Sequence, residues 1–109
     1  MPKYLVKASY SVEGAKGLMS KGGTARRDAL EQSISGLGGK LEAFYFAFGD
    51  DDVFITAELT DNAAAAALAL TADGAGGVSN LSTVVLITPE EVDEAAKRHP
   101  DYRPPGSES

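Results

Sequence analysis

The chain has 109 residues and a formal net charge of −6, with the apolar and charged content of one ordinary globular domain. An acidic chain lacks the basic patches that attract nucleic acids and anionic membranes, so we expect neither as a partner. It has no cysteine and one histidine, which excludes disulfides, thiolate metal sites and multi-histidine sites within one chain. It also has no apolar run of membrane length. These features predict a cytoplasmic protein without a cofactor.

The first third of the chain is predicted to form one strand and two helices. Residues 3–10 alternate in polarity as a half-buried strand does. A short helix is predicted over residues 11–21, although Gly14 and Gly17 each lower helix stability by about 1 kcal/mol relative to alanine. A longer helix is predicted over residues 25–37, with Thr24 as its cap and apolar side chains recurring at helical spacing.

An aromatic hairpin is predicted over residues 41–59, with the acidic turn 49–52 between its strands. The first of these strands is apolar on both faces, so each face needs a cover. One face carries the phenylalanines Phe44, Phe46 and Phe48. Tyr45 lies on the other face and is predicted to point toward the helices.

The second half of the chain repeats the pattern of helix and strand. Asp61 is predicted to cap a helix over residues 62–73, which contains five consecutive alanines. Residues 79–87 read as a strand, since β-branched side chains dominate it. A Thr-Pro-Glu-Glu capping box at residues 88–91 begins a last helix that is predicted to end near Arg98.

This order of elements predicts a ferredoxin-like α+β fold. It is a βαββαβ unit with a four-stranded antiparallel sheet in the order 4-1-3-2, followed by a C-terminal helix. Residues 1–99 are expected to form this single α/β domain. Residues 100–109 are polar and rich in proline, and we expect an extended or disordered tail.

The face of the sheet away from the helices is predicted to be largely apolar. One assignment of strand faces gives it Leu5, Phe44, Phe46, Phe48, Phe54, Val85 and Ile87, and the alternate set is similarly apolar. A patch of that size rarely stays exposed on a soluble monomer. We therefore expect a homodimer, or a higher homo-oligomer, whose copies pack face to face.

Three segments of the chain resemble the GYD family: KYLVKASYSVEGAKGL, GTAR and LGGKLEAFYFAFGDDDV. The resemblance extends over residues 3–91 and implies the ferredoxin-like, dimeric α/β-barrel group. In the turn that gives the family its name, Gly49 and Asp52 match, and Asp51 stands in place of the tyrosine. The resemblance implies the fold and no particular activity.

Lys7 and Glu58 are candidate catalytic residues. They lie on the two predicted central strands, where alternation places both on one face. A lysine and a glutamate in a dry setting can transfer protons. A structural ion pair, or two charges at the rim of the sheet, explains the same pattern.

Tyr10, Arg26, Tyr45 and Asp52 are candidate ligand-binding residues. Together they could line a cleft for a small anionic or aromatic ligand. Arg26 falls in the first turn of a predicted helix, where a cation is unfavourable, and Asp52 is its expected partner. Ordinary amphipathic packing, with Arg26 in water, is the alternative.

The acidic turn also offers weak candidates for a cation site, Asp50 and Asp51. Adjacent carboxylates supply the oxygen ligands that calcium and magnesium prefer. Their spacing matches no known loop motif, and a solvated turn is the more common reason for such a run.

Two classes of function remain open on the sequence. The first is a small-molecule-binding or assembly module without chemistry of its own, which fits the apolar sheet face and the scarcity of histidine. The second is a cofactor-free isomerase or monooxygenase acting on a small aromatic or anionic substrate in a barrel cavity. The second class depends on analogy between folds.

Overall fold

The computed structural model describes residues 1–107 as an α+β domain with a projecting C-terminal segment. In chain order its elements are strand β1 (Lys3–Tyr10), helices α1 (Val12–Lys21) and α2 (Gly23–Gly36), strands β2 (Lys40–Phe46) and β3 (Val53–Glu58), helix α3 (Asn62–Ala75), strand β4 (Val78–Leu86) and helix α4 (Pro89–Ala96). This order is consistent with a ferredoxin-like fold. The structure is that of one chain, and the predicted barrel of two chains is not part of it.

The four strands form one antiparallel sheet in the order β2-β3-β1-β4, which confirms the predicted order. The helices cover the face that carries the buried core of the two central strands: Tyr4, Val6, Ala8, Val53, Ile55 and Ala57. Leu30 and Ile34 of α2, together with Ala64 and Ala65 of α3, complete this core. The hydroxyl of the buried Tyr4 donates a hydrogen bond of 2.6 Å to Oδ1 of Asn62, so its polar group is satisfied.

The helix caps predicted at Ser11, Asp61 and Thr88 are confirmed. The cap predicted at Thr24 is wrong, because Thr24 lies within α2, whose N-cap Gly22 forms no side-chain hydrogen bond. The Ser11 hydroxyl accepts a hydrogen bond from the Gly14 N–H, and the Asp61 carboxylate accepts one from the Ala64 N–H. Thr88 forms both bonds of the capping box at the start of α4. Helix α2 begins two residues earlier than predicted, directly after Gly22, whose φ of 88° suits a residue without a side chain.

The side chains of β2 do not lie on the faces that the first assignment gave them. A bulge between Leu41 and Ala43 changes the alternation, so Leu41 and Phe44 both pack against the core although they are three residues apart. Phe44 and Phe46 lie opposite Ile55 and Val53, on the helix face, in agreement with the alternate set.

The prediction that Tyr45 points toward the helices is therefore wrong. Tyr45 lies opposite Phe54, on the open face of the sheet, and 70% of its surface is exposed. Phe48 belongs to neither face, because β2 ends at Phe46 and the Phe48 ring lies in the following turn, fully exposed.

Helix α1 begins in close contact with the segment that joins α3 to β4. The Ser11 N–H donates to the Gly77 carbonyl, and the Ser11 hydroxyl donates to the Gly76 carbonyl at 2.7 Å. A Cβ at Gly14 would overlap the Gly77 carbonyl oxygen, whereas a Cβ at Gly17 would meet no atom within 4 Å. Gly14 therefore permits the close approach, and Gly17 does not contribute to it.

The segment after β4 projects from the domain. Every residue of α4 is exposed, and residues 98–103 form neither helix nor strand. The chain measures 58 × 31 × 24 Å, with a radius of gyration of 17.3 Å. A compact domain of this length has a radius of gyration of about 13 Å. Of the predicted tail 100–109, residues 108 and 109 lie outside the described residues.

None of the helices within residues 1–107 is both long and apolar enough to cross a membrane. The longest of them, α2 and α3, each have 14 residues. A helix that crosses the hydrocarbon core of a bilayer needs about 20.

We expect the two α1 glycines to respond oppositely to alanine. Gly14→Ala should lower the free energy of unfolding by about 1–3 kcal/mol, because its Cβ forces α1 away from Gly77. Gly17→Ala should raise it by about 0.5–1 kcal/mol, because alanine favours the helix and meets open space. Urea denaturation of both variants measures these changes. Stabilisation by Gly14→Ala would contradict the close approach.

Candidate functional site

A groove of about 600 Å³ lies between helices α1, α2 and α3, on the side of the sheet that carries the core. Its volume is in the range of small-molecule sites. Small side chains form much of its wall, namely Gly14, Gly17, Ala25, Ala29, Ala67, Ala72 and Ala75. The groove is therefore open because these positions lack the bulk that would fill the space between the helices.

The groove continues inward toward the sheet. A second space, of about 40 Å³, lies beneath it and shares Tyr10, Arg26, Leu30, Leu68 and Ala72 with its wall. Apart from Arg26 and Thr83, the side chains that line this deeper space are apolar or aromatic. A ligand in the groove thus has an apolar floor.

Arg26 is partly buried at the boundary between these two spaces. Within the described part of the chain its guanidinium forms neither an ion pair nor a hydrogen bond. The expected contact with Asp52 is absent there, and the Asp52 carboxylate accepts the Tyr10 N–H. Among residues 1–107, Lys21 at the end of α1 is the other cation that lines the groove, and no acidic residue lines it.

Aromatic packing fixes Tyr10 at the groove. Its ring lies 6.4 Å from that of Phe46, and Phe46 makes an edge-to-face contact with Phe44 at 5.1 Å. The Phe46 ring also lies against the backbone of Gly23, the first residue of α2. The start of α2, and Arg26 with it, is thereby positioned over the aromatic cluster.

The four predicted ligand-binding residues therefore separate into two places. Tyr10 and Arg26 line one groove, as expected. Asp52 contacts the backbone of Tyr10, and its Oδ2 accepts the Tyr10 N–H at 2.9 Å. Tyr45 is on the opposite face of the sheet and does not line the groove.

The acidic turn is a structural connection between the hairpin and the end of β1. The Asp52 N–H donates to the Ala8 carbonyl, and the Asp50 carbonyl accepts the Ser9 hydroxyl. Asp51 lies 4.0 Å from Nζ of Lys7. Among residues 1–107, no three histidine, cysteine, aspartate or glutamate side chains converge as metal ligands do, Asp50 and Asp51 included.

The candidate pair Lys7 and Glu58 is not a pair. Both side chains lie on the open face, as expected, but Lys7 is opposite Phe54 and Glu58 is opposite Lys3. The two are thus four residues apart along the strands, about 13 Å at the usual rise. Direct proton transfer between them is excluded in this chain, because that distance far exceeds a hydrogen bond.

The open face of the sheet has an apolar centre and a charged rim. The centre consists of two cross-strand pairs, Tyr45–Phe54 and Leu5–Val84. Lys3, Glu42, Glu58 and Asn80 lie at the rim, whereas Lys7, Ser82 and Thr56 lie beside the two apolar pairs. The face is thus less apolar than predicted, because the bulge in β2 turns two phenylalanines toward the helices.

The part that α3 plays in the groove was not predicted from the sequence. Two of the five consecutive alanines of α3, Ala64 and Ala65, are buried in the core beneath the helix. Ala67, Ala72 and Ala75 instead face α1 and α2 across the groove. The sequence feature that could have indicated the groove is the lack of any large side chain over residues 63–67 and 71–77.

Comparison with known proteins gives a family and a shared fold. The model of the GYD domain matches residues 4–96. The crystal structure of MtbAldR superposes with a TM-score of 0.53 at 15% sequence identity, over 80% of this chain. The match spans 52% of that chain, about half its length, and at this identity it shows the fold alone. None of the curated proteins matches the chain.

The Asp52–Tyr10 hydrogen bond gives a prediction about stability. Asp52→Ala removes the acceptor and should lower the free energy of unfolding by about 1–2 kcal/mol, since the Tyr10 N–H loses a charged partner. Asp52→Asn keeps an acceptor oxygen and should cost less than half as much. Equal losses in urea denaturation would mean that the carboxylate acts by its charge and not as an acceptor.

Proposed function

Because the chain belongs to the GYD family, we propose that it is a homo-oligomeric binding module whose copies pack their open sheet faces together. In this proposal the sheets are enclosed between the two copies, and the helices remain outside. The module has no chemistry of its own. The observation that carries the proposal is the apolar centre on a sheet face that none of the helices within residues 1–107 covers.

The arrangement of the open face supports this proposal. Side chains of Tyr45 and Phe54 are exposed by 70% and 36%, and the Leu5–Val84 pair continues the patch across the sheet. Charged side chains lie at the rim of the face, and Lys7 and Thr56 lie beside these pairs on the central strands. An apolar, aromatic centre inside a polar rim is the usual anatomy of a protein interface.

The accessible surface of the chain supports the same proposal. It is 7497 Å². A compact monomer of this mass exposes about 5,700 Å², roughly 1,800 Å² less. The excess is larger than the area that one partner buries in a standard interface, about 800 Å².

The projecting segment contributes to this excess. Ile87 and Val92 are exposed by 56% and 50%, and Tyr102 by 71%. Segments that extend from a domain and expose apolar side chains commonly pack on a second copy. We infer that α4 lies against the partner at the edge of the paired sheets.

A cofactor-free isomerase or monooxygenase is the second candidate function. The observation that favours it is the row of polar side chains, Lys7, Thr56 and Glu58, on the face that pairing would enclose. Such a site needs an open cavity between the two sheets, because a filled interface excludes a substrate. A small aromatic or anionic substrate fits these groups.

Substitution on the open face tests the assembly. Phe54→Glu should raise the dissociation constant about 100-fold, because a charge is placed at the centre of the interface. Leu70→Glu is the matched control, since Leu70 is 73% exposed on α3, on the helix side. Sedimentation velocity should show an oligomer for the wild type and Leu70→Glu, and a monomer for Phe54→Glu. A wild-type monomer at micromolar concentration would refute the proposal.

A further inference from the structure

The charge of the groove is opposite to that of the chain. The chain has a formal net charge of −6, with 16 acidic and 10 basic residues. The groove between α1, α2 and α3 nevertheless carries Lys21 and Arg26 and, in the described residues, no carboxylate. A small anion is therefore attracted to this region, although the protein as a whole repels it.

Arg26 lacks the partner that its position requires. Two arginines form ion pairs in the described chain, both on the surface. Arg27 binds Asp28, and Arg98 binds Glu94. Arg26 is more buried than either and forms no such contact among residues 1–107. A partly desolvated guanidinium gains most from an anion, and its planar fork matches a carboxylate with two parallel hydrogen bonds.

The remainder of the wall fits an apolar body. Leu18, Leu30, Leu37 and Leu68 provide large apolar side chains, and the alanines and glycines leave the space between them. The polar side chains besides the two cations are Tyr10, Ser33 and Thr71. These are too few to satisfy a ligand with many polar groups.

From these observations we propose that the groove between α1, α2 and α3 binds an amphipathic monocarboxylate, with its carboxylate on Arg26 and its apolar body along the alanine-lined wall. Lys21 lies at the rim and assists by its charge. The groove lies on the opposite side of the sheet from the proposed assembly face, so an assembled module keeps it accessible. The inference is independent of how the copies assemble.

Binding of decanoate, measured by calorimetry below the concentration at which it forms micelles, tests the proposal. The wild type should bind decanoate. It should bind decan-1-ol and acetate about tenfold or more weakly, because decan-1-ol lacks the carboxylate and acetate lacks the apolar chain. Absence of decanoate binding, or decan-1-ol binding of equal affinity, would overturn the proposal.

Two adjacent arginines provide a matched pair of variants for the head group. Arg26→Gln should weaken decanoate about tenfold or more and leave decan-1-ol unchanged, because a charge-assisted contact is lost. Arg27→Gln removes the same charge from the next residue, whose side chain is exposed and paired with Asp28. It should change decanoate affinity less than about twofold. Equal effects of the two variants would show attraction by net charge alone and refute the site.

Two alanines of α3 provide the matched pair for the apolar wall. Ala72→Leu fills the groove and should weaken decanoate about tenfold, whereas Ala66→Leu adds the same bulk on the exposed side and should not. Equal binding by these two variants would place the apolar body elsewhere. Phe54→Glu should bind decanoate like the wild type, so a failure of assembly and a failure of the groove are distinguishable.

Discussion

The register of β2 against β3 is the constraint on which both candidate surfaces depend. The bulge between Leu41 and Ala43 turns Phe44 and Phe46 toward the helices, where they pack with Tyr10 and against the start of α2. A slip of one residue would exchange the two faces of the strand. It would remove the aromatic support under Arg26, turn Phe44 and Phe46 to the open face and turn Tyr45 toward the helices.

The helix layer is incomplete because its helices are rich in small residues. Alanine and glycine stabilise or permit close backbone contacts, as at Gly14 and Gly77, but they cannot fill the space between neighbouring helices. The result is a firmly packed core beneath the helices and a groove above it. Lys21 and Arg26 line the groove of this acidic chain. Their charges favour an anionic ligand, which the shape of the groove alone would not select.

The two proposed interactions use opposite sides of one sheet and different physical forces. Assembly depends on burying the Tyr45–Phe54 and Leu5–Val84 pairs, and it is driven by removal of apolar surface from water. Ligand binding depends on the Arg26 guanidinium, which has no partner among the residues that the structure describes. Salt should weaken the second more than the first, because screening acts on charges. The sheet is the rigid layer that separates them.

The sequence by itself determined the elements, the sheet order, the helix caps at Ser11, Asp61 and Thr88, and the family. Each of these depends on local patterns, such as alternation, capping side chains and glycines, whose effect extends over a few residues. Only the tertiary structure decided that Tyr45 faces outward, that Lys7 and Glu58 are separated along the strands, and that Asp52 binds the Tyr10 backbone rather than Arg26. These outcomes depend on a strand register and on a space between helices, which arise from contacts between residues far apart in the chain.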